Sequence, residues 1–279
     1  MPNKPVVFIA GASGNTGSAI ARHLLLTSSF TVVAFVLADK LEEALQGVDI
    51  LISTVIPLWV DQKPIILAAS KVGVKRVIPS DFGPHSQPGV MGLHDLKLDV
   101  REYIKSLGLS YTFIEVGWWM QLAFPCSHKV EESWAFPKSF YGPMGARNMY
   151  VSLDSIGALV GRVIEDERTL NHTVAVFDVE YTHAEIVKIA EEVSGEDFSD
   201  YPMLTGEVLQ DRIANTSSLA RTLAEYWYSL YVREDNTIEK AKADGVLIAR
   251  ELYDSIPIAD IKKEAYNFYT VPMSFDVPS

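Results

Sequence analysis

The first half of the chain alternates between short hydrophobic runs and longer segments whose hydrophobic residues have helical spacing. Short runs rich in β-branched residues are typical of buried parallel strands. The predicted strands are residues 6–10, 31–36, 49–55, 75–79 and 110–116, and the predicted helices are 16–26, 40–46, 63–72 and 93–107. Strands that alternate with helices predict an α/β fold with a doubly wound parallel sheet.

The second half has a less regular pattern. Prolines and glycines stand among aromatic residues at 133–149, which predicts loops and short strands over a cleft. Thr182 and Glu185 fit a capping box at the start of a helix. Further predicted elements are helices 153–165 (capped by Ser152 or Asp154), 182–193, 214–232, 236–242 and 259–268, and a strand at 173–177. We expect a nucleotide-binding domain over 1–126 and a smaller α+β substrate-binding region over 127–279, whose elements return to the sheet.

A glycine-rich loop at residues 11–17 joins the first predicted strand to the first helix and fits G-x-x-G-x-x-G. The first glycine allows a tight turn, the second lets backbone approach a diphosphate, and the third allows close helix–strand packing. Free amide groups at the helix start then face an anion. This placement predicts a Rossmann-type sheet that binds a dinucleotide. The predicted cofactor contacts in the loop are Gly11, Ser13, Gly14, Asn15, Thr16 and Gly17.

Ser53 and Thr54 follow the third predicted strand, where the carboxyl ends of parallel strands border the same crevice. The second strand–helix unit is short, because residues 27–48 leave room for one strand and one short helix, whereas a full βαβ unit needs about 30 residues or more. Residues after the second strand should recognise the ribose, through an acid for NAD or a basic group for a 2′-phosphate. Residues 37–40 are Leu-Ala-Asp-Lys, without arginine, so these residues leave the cofactor preference open.

Charge and composition narrow the class of partner. The chain has 24 Lys and Arg against 36 Asp and Glu, a net charge of −12 that disfavours nucleic-acid binding. No signal peptide is visible, and no apolar run reaches the roughly 18 residues that span a bilayer. The single cysteine, Cys126, cannot form an internal disulfide, which fits a reducing compartment. We expect a cytoplasmic protein without a nucleic-acid or membrane partner.

Several segments, taken in order, resemble the NmrA-like, isoflavone-reductase-like group of atypical short-chain dehydrogenase/reductases. The resemblance extends over nearly the whole chain. The matching segments are residues 11–17, 48–54, 73–83, 97–104 (K-x-x-V-R-x-x-I), 111–114, 154–157, 166–171 and 251–253. The resemblance implies a reductase of phenolic or other secondary-metabolite-like small molecules, with NADPH as the cofactor and NADH as the alternative. It also implies that Lys97, the lysine of K-x-x-V-R, is the catalytic group, and we expect Lys97, like Ser53 and Thr54, to contact the cofactor as well.

Lys97 lies in a predicted helix with a hydrophobic stripe. The predicted core face is Leu93, Leu96, Val100, Ile104 and Leu107, with His94, Arg101 and Lys105 on the face of the lysine. Nearby positive charge and a closing pocket lower the pKa of a lysine or fix it as a proton donor. The Tyr-x-x-x-Lys pair of standard short-chain dehydrogenases is absent, because none of the 12 tyrosines has a lysine four residues on. Its absence counts against a tyrosine-driven carbonyl reductase and is consistent with lysine-assisted hydride delivery to a conjugated C=C, a quinone-methide-like carbon or a carbonyl.

The sequence departs from the resembled family in two places. Asp81 stands where the family usually has glutamate, and the arginine that holds the 2′-phosphate after the second strand has no counterpart. The second departure keeps another hypothesis open, a non-catalytic dinucleotide sensor that acts through a protein partner. A third hypothesis is a protein that folds but binds cofactor poorly. The sequence also leaves open whether the protein forms a homodimer.

Aromatic residues are predicted near the substrate. Trp118 and Trp119 follow the last strand of the first half, where aromatic rings could stack on nicotinamide or on a ring substrate. The predicted cleft wall is Phe136, Phe140, Tyr141 and Met144. No metal site is predicted, because the acids and histidines at 81–95 lack a recognised metal-ligand spacing.

Overall fold

The computed structural model describes residues 4–35, 40–133 and 136–271. Its first half alternates strands and helices. The strands are β1 (Val6–Ala10), β2 (Thr31–Phe35), β3 (Ile50–Ser53), β4 (Arg76–Ile78) and β5 (Thr112–Val116). The helices are α1 (Asn15–Thr27), α2 (Leu41–Ala44), α3 (Lys63–Val72) and α4 (Gly92–Ser106). The alternation predicted for this half is confirmed, with each boundary within a few residues.

The second half adds short strands and several helices. Its strands are β6 (Trp118–Trp119), β7 (Phe140–Tyr141), β8 (Arg147–Val151), β9 (His172–Val176), β10 (Val179–Thr182), β11 (Met203–Leu204) and β12 (Leu247–Ile248). Its helices are α5 (Leu153–Glu165), α6 (His183–Ser194), α7 (Gly206–Asn215), α8 (Ser218–Trp227), α9 (Ile238–Ala243), α10 (Ala249–Leu252) and α11 (Ile261–Thr270). Short 3₁₀ turns at Met120–Leu122 and Glu167–Thr169 and a π-helical turn at Tyr228–Val232 complete the described elements.

A parallel sheet forms the centre of the molecule. One part has the strand order β2-β1-β3-β4 and the other the order β12-β9-β5. A parallel bridge between Val77 and Tyr111 links the two parts next to β4 and β5. Elements of the second half thus return to the sheet, and the doubly wound Rossmann-type fold is confirmed.

Apolar side chains fill both faces of this sheet. On one face, α1 and α5 pack against each other and cover β1, β5 and β9, and on the other face α3 and α4 cover β1, β3 and β4. The residues of β1, β3, β4 and β5 are buried almost throughout, as expected of strands covered on both faces, whereas β2 is largely exposed. The packing leaves the carboxyl ends of β1, β3 and β5 at one edge, beside the glycine-rich loop.

The shortened second unit is present in the structure. The helix α2 has four residues, and β2 is the outermost strand of its sheet among the described residues. Residues 37–39, where the ribose-recognising group was expected, lie outside the described residues. Lys40, the last of that tetrapeptide, pairs its ammonium with the Glu43 carboxylate at 3.0 Å.

The predicted helix over 214–232 begins too early, because α8 starts at Ser218 and the π-helical turn then extends it to Val232. A separate helix, α7, precedes it and was not predicted; Thr205 caps α7 by accepting from the Val208 amide. The α7 helix ends where the Thr216 hydroxyl donates to the Arg212 carbonyl at 2.6 Å. Side chains that bond the preceding turn compete with continued helix.

The capping box at Thr182 and Glu185 is confirmed, and Ser152 caps α5 by accepting from the Ser155 amide. The strand β10, which directly precedes the capping box and pairs antiparallel with β8, was not predicted. In the described part of the chain, no helix has the length and apolar composition that a membrane span requires.

Candidate active site

The glycine-rich loop turns sharply where β1 ends. Gly11 has a φ of +83°, a left-handed conformation that favours glycine. A Cβ on Gly17 would stand 2.2 Å from the Gly11 carbonyl oxygen and 2.6 Å from the Thr54 hydroxyl oxygen. The Thr54 hydroxyl in turn hydrogen-bonds the Ala10 and Gly11 carbonyls, both at 3.0 Å. The third glycine of the motif therefore allows α1 to start against the loop and β3.

The first turn of α1 faces open space. Gly14 occupies the N-cap position, where it offers no side-chain hydrogen bond, and the first turn contains no acidic residue. The first amide groups of a helix lack partners within the helix and carry partial positive charge. Ser13, Gly14, Asn15 and Thr16 line a cavity of about 730 Å³. This geometry fits a diphosphate, because the start of a helix without a side-chain cap borders the cavity.

The same cavity extends past Lys97 into an aromatic chamber in the second half of the chain. The chamber wall includes Trp118, Trp119, Phe140, Tyr141, His183, Tyr226, Trp227 and Tyr231. Indole and phenol rings give an apolar surface with a few polar tips, which suits a ring-containing ligand. One continuous space therefore joins the anion-binding loop, a lysine and an aromatic pocket.

Lys97 is buried, with 6% of its surface exposed, and its Nζ donates to the Asp81 carbonyl at 3.1 Å. The predicted core face of α4 is wrong in part, because Leu96 is 47% exposed whereas Lys97 and Arg101 are buried. The helix turns its charged stripe inward because partners for these charges lie beneath it. The buried face of α4 is His94, Lys97, Val100, Arg101 and Ile104.

A connected series of ion pairs lies beneath Lys97. The Arg101 guanidinium contacts the carboxylates of Asp81 and Glu115, each at 2.8 Å. Glu115 also pairs with His85 Nδ1 at 2.7 Å, and His85 Nε2 contacts Asp244 at 2.9 Å. Asp81, His85 and Glu115 are buried, so these charges are stable only as paired groups.

This network sets the protonation of the site. Burial lowers the pKa of Lys97 to about 8, opposed by the Asp81 charge and helped by the Arg101 charge. Burial would raise the pKa of Glu115, but the hydrogen bond from His85 and the charge of Arg101 lower it to about 2. Burial lowers the pKa of His94 to about 4, and the charge of Arg101 adds to this shift. Near neutral pH, Lys97 is therefore a protonated group whose proton leaves more easily than that of an exposed lysine.

The predicted cofactor residues lie around the loop, with unequal access to the cavity. Thr54 lines the cavity, whereas Ser53 is buried and its hydroxyl has no hydrogen-bond partner among the described residues. Gly11 and Gly17 do not line the cavity but shape the turn that surrounds it.

Among the predicted aromatic wall residues, Phe140 and Tyr141 line the cavity. Phe136 instead packs edge-on against Phe268, with ring centroids 5.2 Å apart, and Met144 packs in a neighbouring apolar cluster. Within the described ranges, no three side chains of His, Cys, Asp and Glu are grouped as a metal site would require.

Sequence reasoning missed two parts of the site. Tyr226 and Trp227 reach the cavity from α8, within a helix that the sequence predicted but did not assign to the site. The pairing of His85 with Glu115 and Asp244 joins residues 30 and 159 positions apart, and no local spacing signals it. The buried charge at Glu115, inside an apolar strand, was the one available sign that a buried cation lay opposite.

Curated relatives with similar sequences are reductases and a dehydrogenase. Asnovolin J 5′,6′-dehydrogenase of Aspergillus novofumigatus is 28% identical, over 88% of this chain and 90% of that one. Phenylcoumaran benzylic ether reductase PT1 of Pinus taeda is also 28% identical, over 92% of this chain and 87% of that one.

Solved structures share the fold. Leucoanthocyanidin reductase of Vitis vinifera, in its complex with NADPH, superposes with a TM-score of 0.78 and 19% identity over 95% of this chain and 99% of that one. AtPrR2 with NADP⁺ and (+)pinoresinol gives a TM-score of 0.75 and 21% identity over 96% of this chain and 100% of that one. The model of the NmrA-like family matches residues 37–255. The chain therefore belongs to the NmrA-like family.

Proposed function

We propose that this protein is an NAD(P)H-dependent reductase of a small aromatic substrate, in which Lys97 assists hydride transfer. One observation carries the proposal: a buried lysine and an uncapped helix start border the same cavity. A lysine that is only structural has no reason to face an aromatic pocket beside an anion-binding loop. The printed names of the relatives, which are reductases and a dehydrogenase, support the same class of reaction.

The residues of the loop would hold the dinucleotide. Backbone amides of Ser13, Asn15 and Thr16, which line the cavity, would bind the diphosphate, and Thr54 keeps the loop in place through its hydroxyl. A reduced nicotinamide supplies hydride when bound. NADPH and NADP⁺ in the related structures support NADPH, and the absence of an arginine at residues 37–40 keeps NADH as the alternative. We also keep the division into a nucleotide-binding domain (1–126) and a substrate-binding region (127–279).

Lys97 would act at the substrate end of the cavity. Its Nζ makes one hydrogen bond, to a backbone carbonyl, among the described residues, so its other N–H groups remain for a substrate oxygen. A lowered pKa eases proton donation to charge that develops on that oxygen. The aromatic chamber would position the ring of the substrate through its apolar walls.

Dinucleotide binding tests the proposal. Calorimetric titration with NADPH, NADH and NADP⁺ is expected to show binding, and Gly17→Ala is expected to raise the Kd about tenfold or more, because the added Cβ collides with backbone and displaces the loop. Gly145→Ala is the matched control, since a Cβ there meets no atom within 4 Å. Wild-type protein that binds no dinucleotide at millimolar concentration would refute the reductase assignment.

Activity is expected to depend on pH through Lys97. The protonated form is the donor, so it is present below its pKa and lost above it. With a pKa of about 8, kcat/KM should stay level up to roughly pH 7 and fall about tenfold per unit well above pH 8. Rates measured from pH 6 to 10, with the melting temperature followed in parallel, check this. A rate that rises through the same interval would exclude Lys97 as the proton donor.

A dinucleotide sensor is the second candidate, favoured by the four-residue α2 and by the lack of an arginine at residues 37–40. It requires binding without chemistry. Tight dinucleotide binding, together with no turnover on a panel of quinones and phenolic enones, would favour the sensor over the reductase.

A further inference from the structure

Tyr226 places a free hydroxyl in the cavity. The residue is half-buried on α8 and lines the same space as Lys97. Across residues 4–35, 40–133 and 136–271, its hydroxyl has no hydrogen-bond partner, although its ring lies 5.5 Å from that of Trp118. A partly buried phenol usually finds a partner. The structure thus leaves this donor for a ligand.

The Tyr226 hydroxyl and the Lys97 ammonium both lie close to Gly83. A Cβ on Gly83 would stand 2.6 Å from the Lys97 Nζ and 3.6 Å from the Tyr226 hydroxyl oxygen. Both polar atoms therefore border the small space that glycine leaves empty. A tyrosine and a lysine that the sequence separates by 129 positions meet here, although the chain lacks the Tyr-x-x-x-Lys spacing.

A second contact fixes α8 against the helix of Lys97. The Glu225 carboxylate, next to Tyr226, accepts from the Gly92 amide at the start of α4 at 2.9 Å. Arg221 holds the other oxygen of that carboxylate at 2.9 Å. The carboxylate also opposes the positive end of α4, which strengthens the attachment. Tyr226 is therefore held in place relative to Lys97.

The hydroxyl of Tyr226 carries its proton at physiological pH. Burial raises the pKa of this phenol to about 12, and the negative charge of Glu225 adds to the shift. A neutral phenol is a hydrogen-bond donor, as is the ammonium of Lys97.

We propose that the Tyr226 hydroxyl and the Lys97 ammonium together bind one oxygen atom of the substrate, so that the site takes an aromatic ketone or enone. The proposal rests on the proposed reductase function and adds the substrate class and a second substrate-binding residue. Both donors border the space at Gly83, while Trp118, Trp227 and Tyr231 line the chamber that receives the ring. Two N–H or O–H donors aimed at one carbonyl oxygen are the arrangement that stabilises negative charge there.

Paired probes test this site. Flavanone and flavan differ by one carbonyl, so their Kd values for the wild-type protein, with and without NADP⁺, report the oxygen contact. We expect the wild type to favour flavanone. Tyr226→Phe should raise the Kd of flavanone about fivefold to tenfold and leave that of flavan unchanged, since one hydrogen bond is removed. Tyr228→Phe is the control, because the Tyr228 hydroxyl bonds Gln210 and does not line the cavity.

A wild-type protein without preference for the ketone, or a Tyr226→Phe variant that keeps the wild-type preference, would overturn the assignment. The titration without NADP⁺ separates the two proposals. A ketone preference that depends on Tyr226 in a protein that binds no dinucleotide would reject the reductase and retain this oxygen site.

Discussion

Replacing Lys97 with alanine is expected to lower kcat/KM about 100-fold or more, because a positioned proton donor contributes roughly 10²–10⁴ to a rate. Alanine removes the ammonium from the cavity but leaves the glycine-rich loop at residues 11–17 unchanged. The Kd of NADPH should therefore stay within about twofold of the wild-type value. Loss of NADPH absorbance in the presence of quinones and phenolic enones gives the rate, and calorimetry gives the Kd.

Lys105→Ala is the matched control for this variant. Lys105 lies on the same helix, but it is solvent-exposed and pairs with Glu102 at 2.7 Å. Its removal should change neither the rate nor the cofactor affinity. Turnover that survives Lys97→Ala would show that the lysine has no part in the chemistry, and loss of NADPH binding would assign it to the cofactor instead.

The second large effect is expected for stability. Glu115→Ala should lower the free energy of unfolding by about 3–5 kcal/mol, because it removes the carboxylate that Arg101 and His85 share and leaves each buried cation with one partner in place of two. Arg101 would retain only Asp81 as a carboxylate partner. His85 would lose the Glu115 carboxylate at 2.7 Å, which raises the pKa of His85 against the effect of burial. Denaturant unfolding at neutral pH measures the change.

Glu102→Ala provides the comparison. Glu102 also pairs with a cation on α4, but both side chains are solvent-exposed, so its loss should cost under about 1 kcal/mol. Equal destabilisation by the two variants would mean that the buried chain of ion pairs adds nothing beyond an ordinary surface pair.

The sequence was sufficient for those parts of the fold that depend on local pattern. Each strand of the central sheet in the first half is a short apolar run, and each loop glycine has a role that its own position dictates. The match extends to α3, whose bounds are the predicted ones, and to the capping box of α6. Local steric and hydrogen-bonding rules act over a few residues, so they can be read from the sequence.

The charged face of α4 could not be predicted in this way. Periodicity assigns the apolar stripe to the core, yet Leu96 faces solvent and Arg101 is buried. Asp81 and Glu115, which lie in other parts of the chain, determine which face of α4 is buried. Each of their carboxylates lies 2.8 Å from the Arg101 guanidinium. Pairing between distant elements overrides a local hydrophobic pattern, and a single sequence does not show which elements meet.

The absent Tyr-x-x-x-Lys motif is a second case, at the candidate site, in which a local sequence pattern does not reveal contacts between distant elements. The motif describes two residues on one helix, so its absence says nothing about a tyrosine that arrives from another element. Here α8 presents Tyr226 above Gly83, next to the lysine of α4. Tyr226→Phe therefore tests a pairing that a search for the motif would have dismissed.

The contact between His85 and Asp244 has a consequence for chimeric proteins. Asp244 ends α9, close to the carboxyl end of the chain, yet it completes the chain of charges that reaches Arg101 and the neighbourhood of Lys97. Exchanging the last third of this protein for that of a relative without this aspartate would thus remove a carboxylate partner from His85, which pairs with Glu115 in the first half, even where every residue lining the pocket was retained. In such a chimera, the charges of the exchanged segment must match those of the retained segment, as must the shapes of their contacting surfaces.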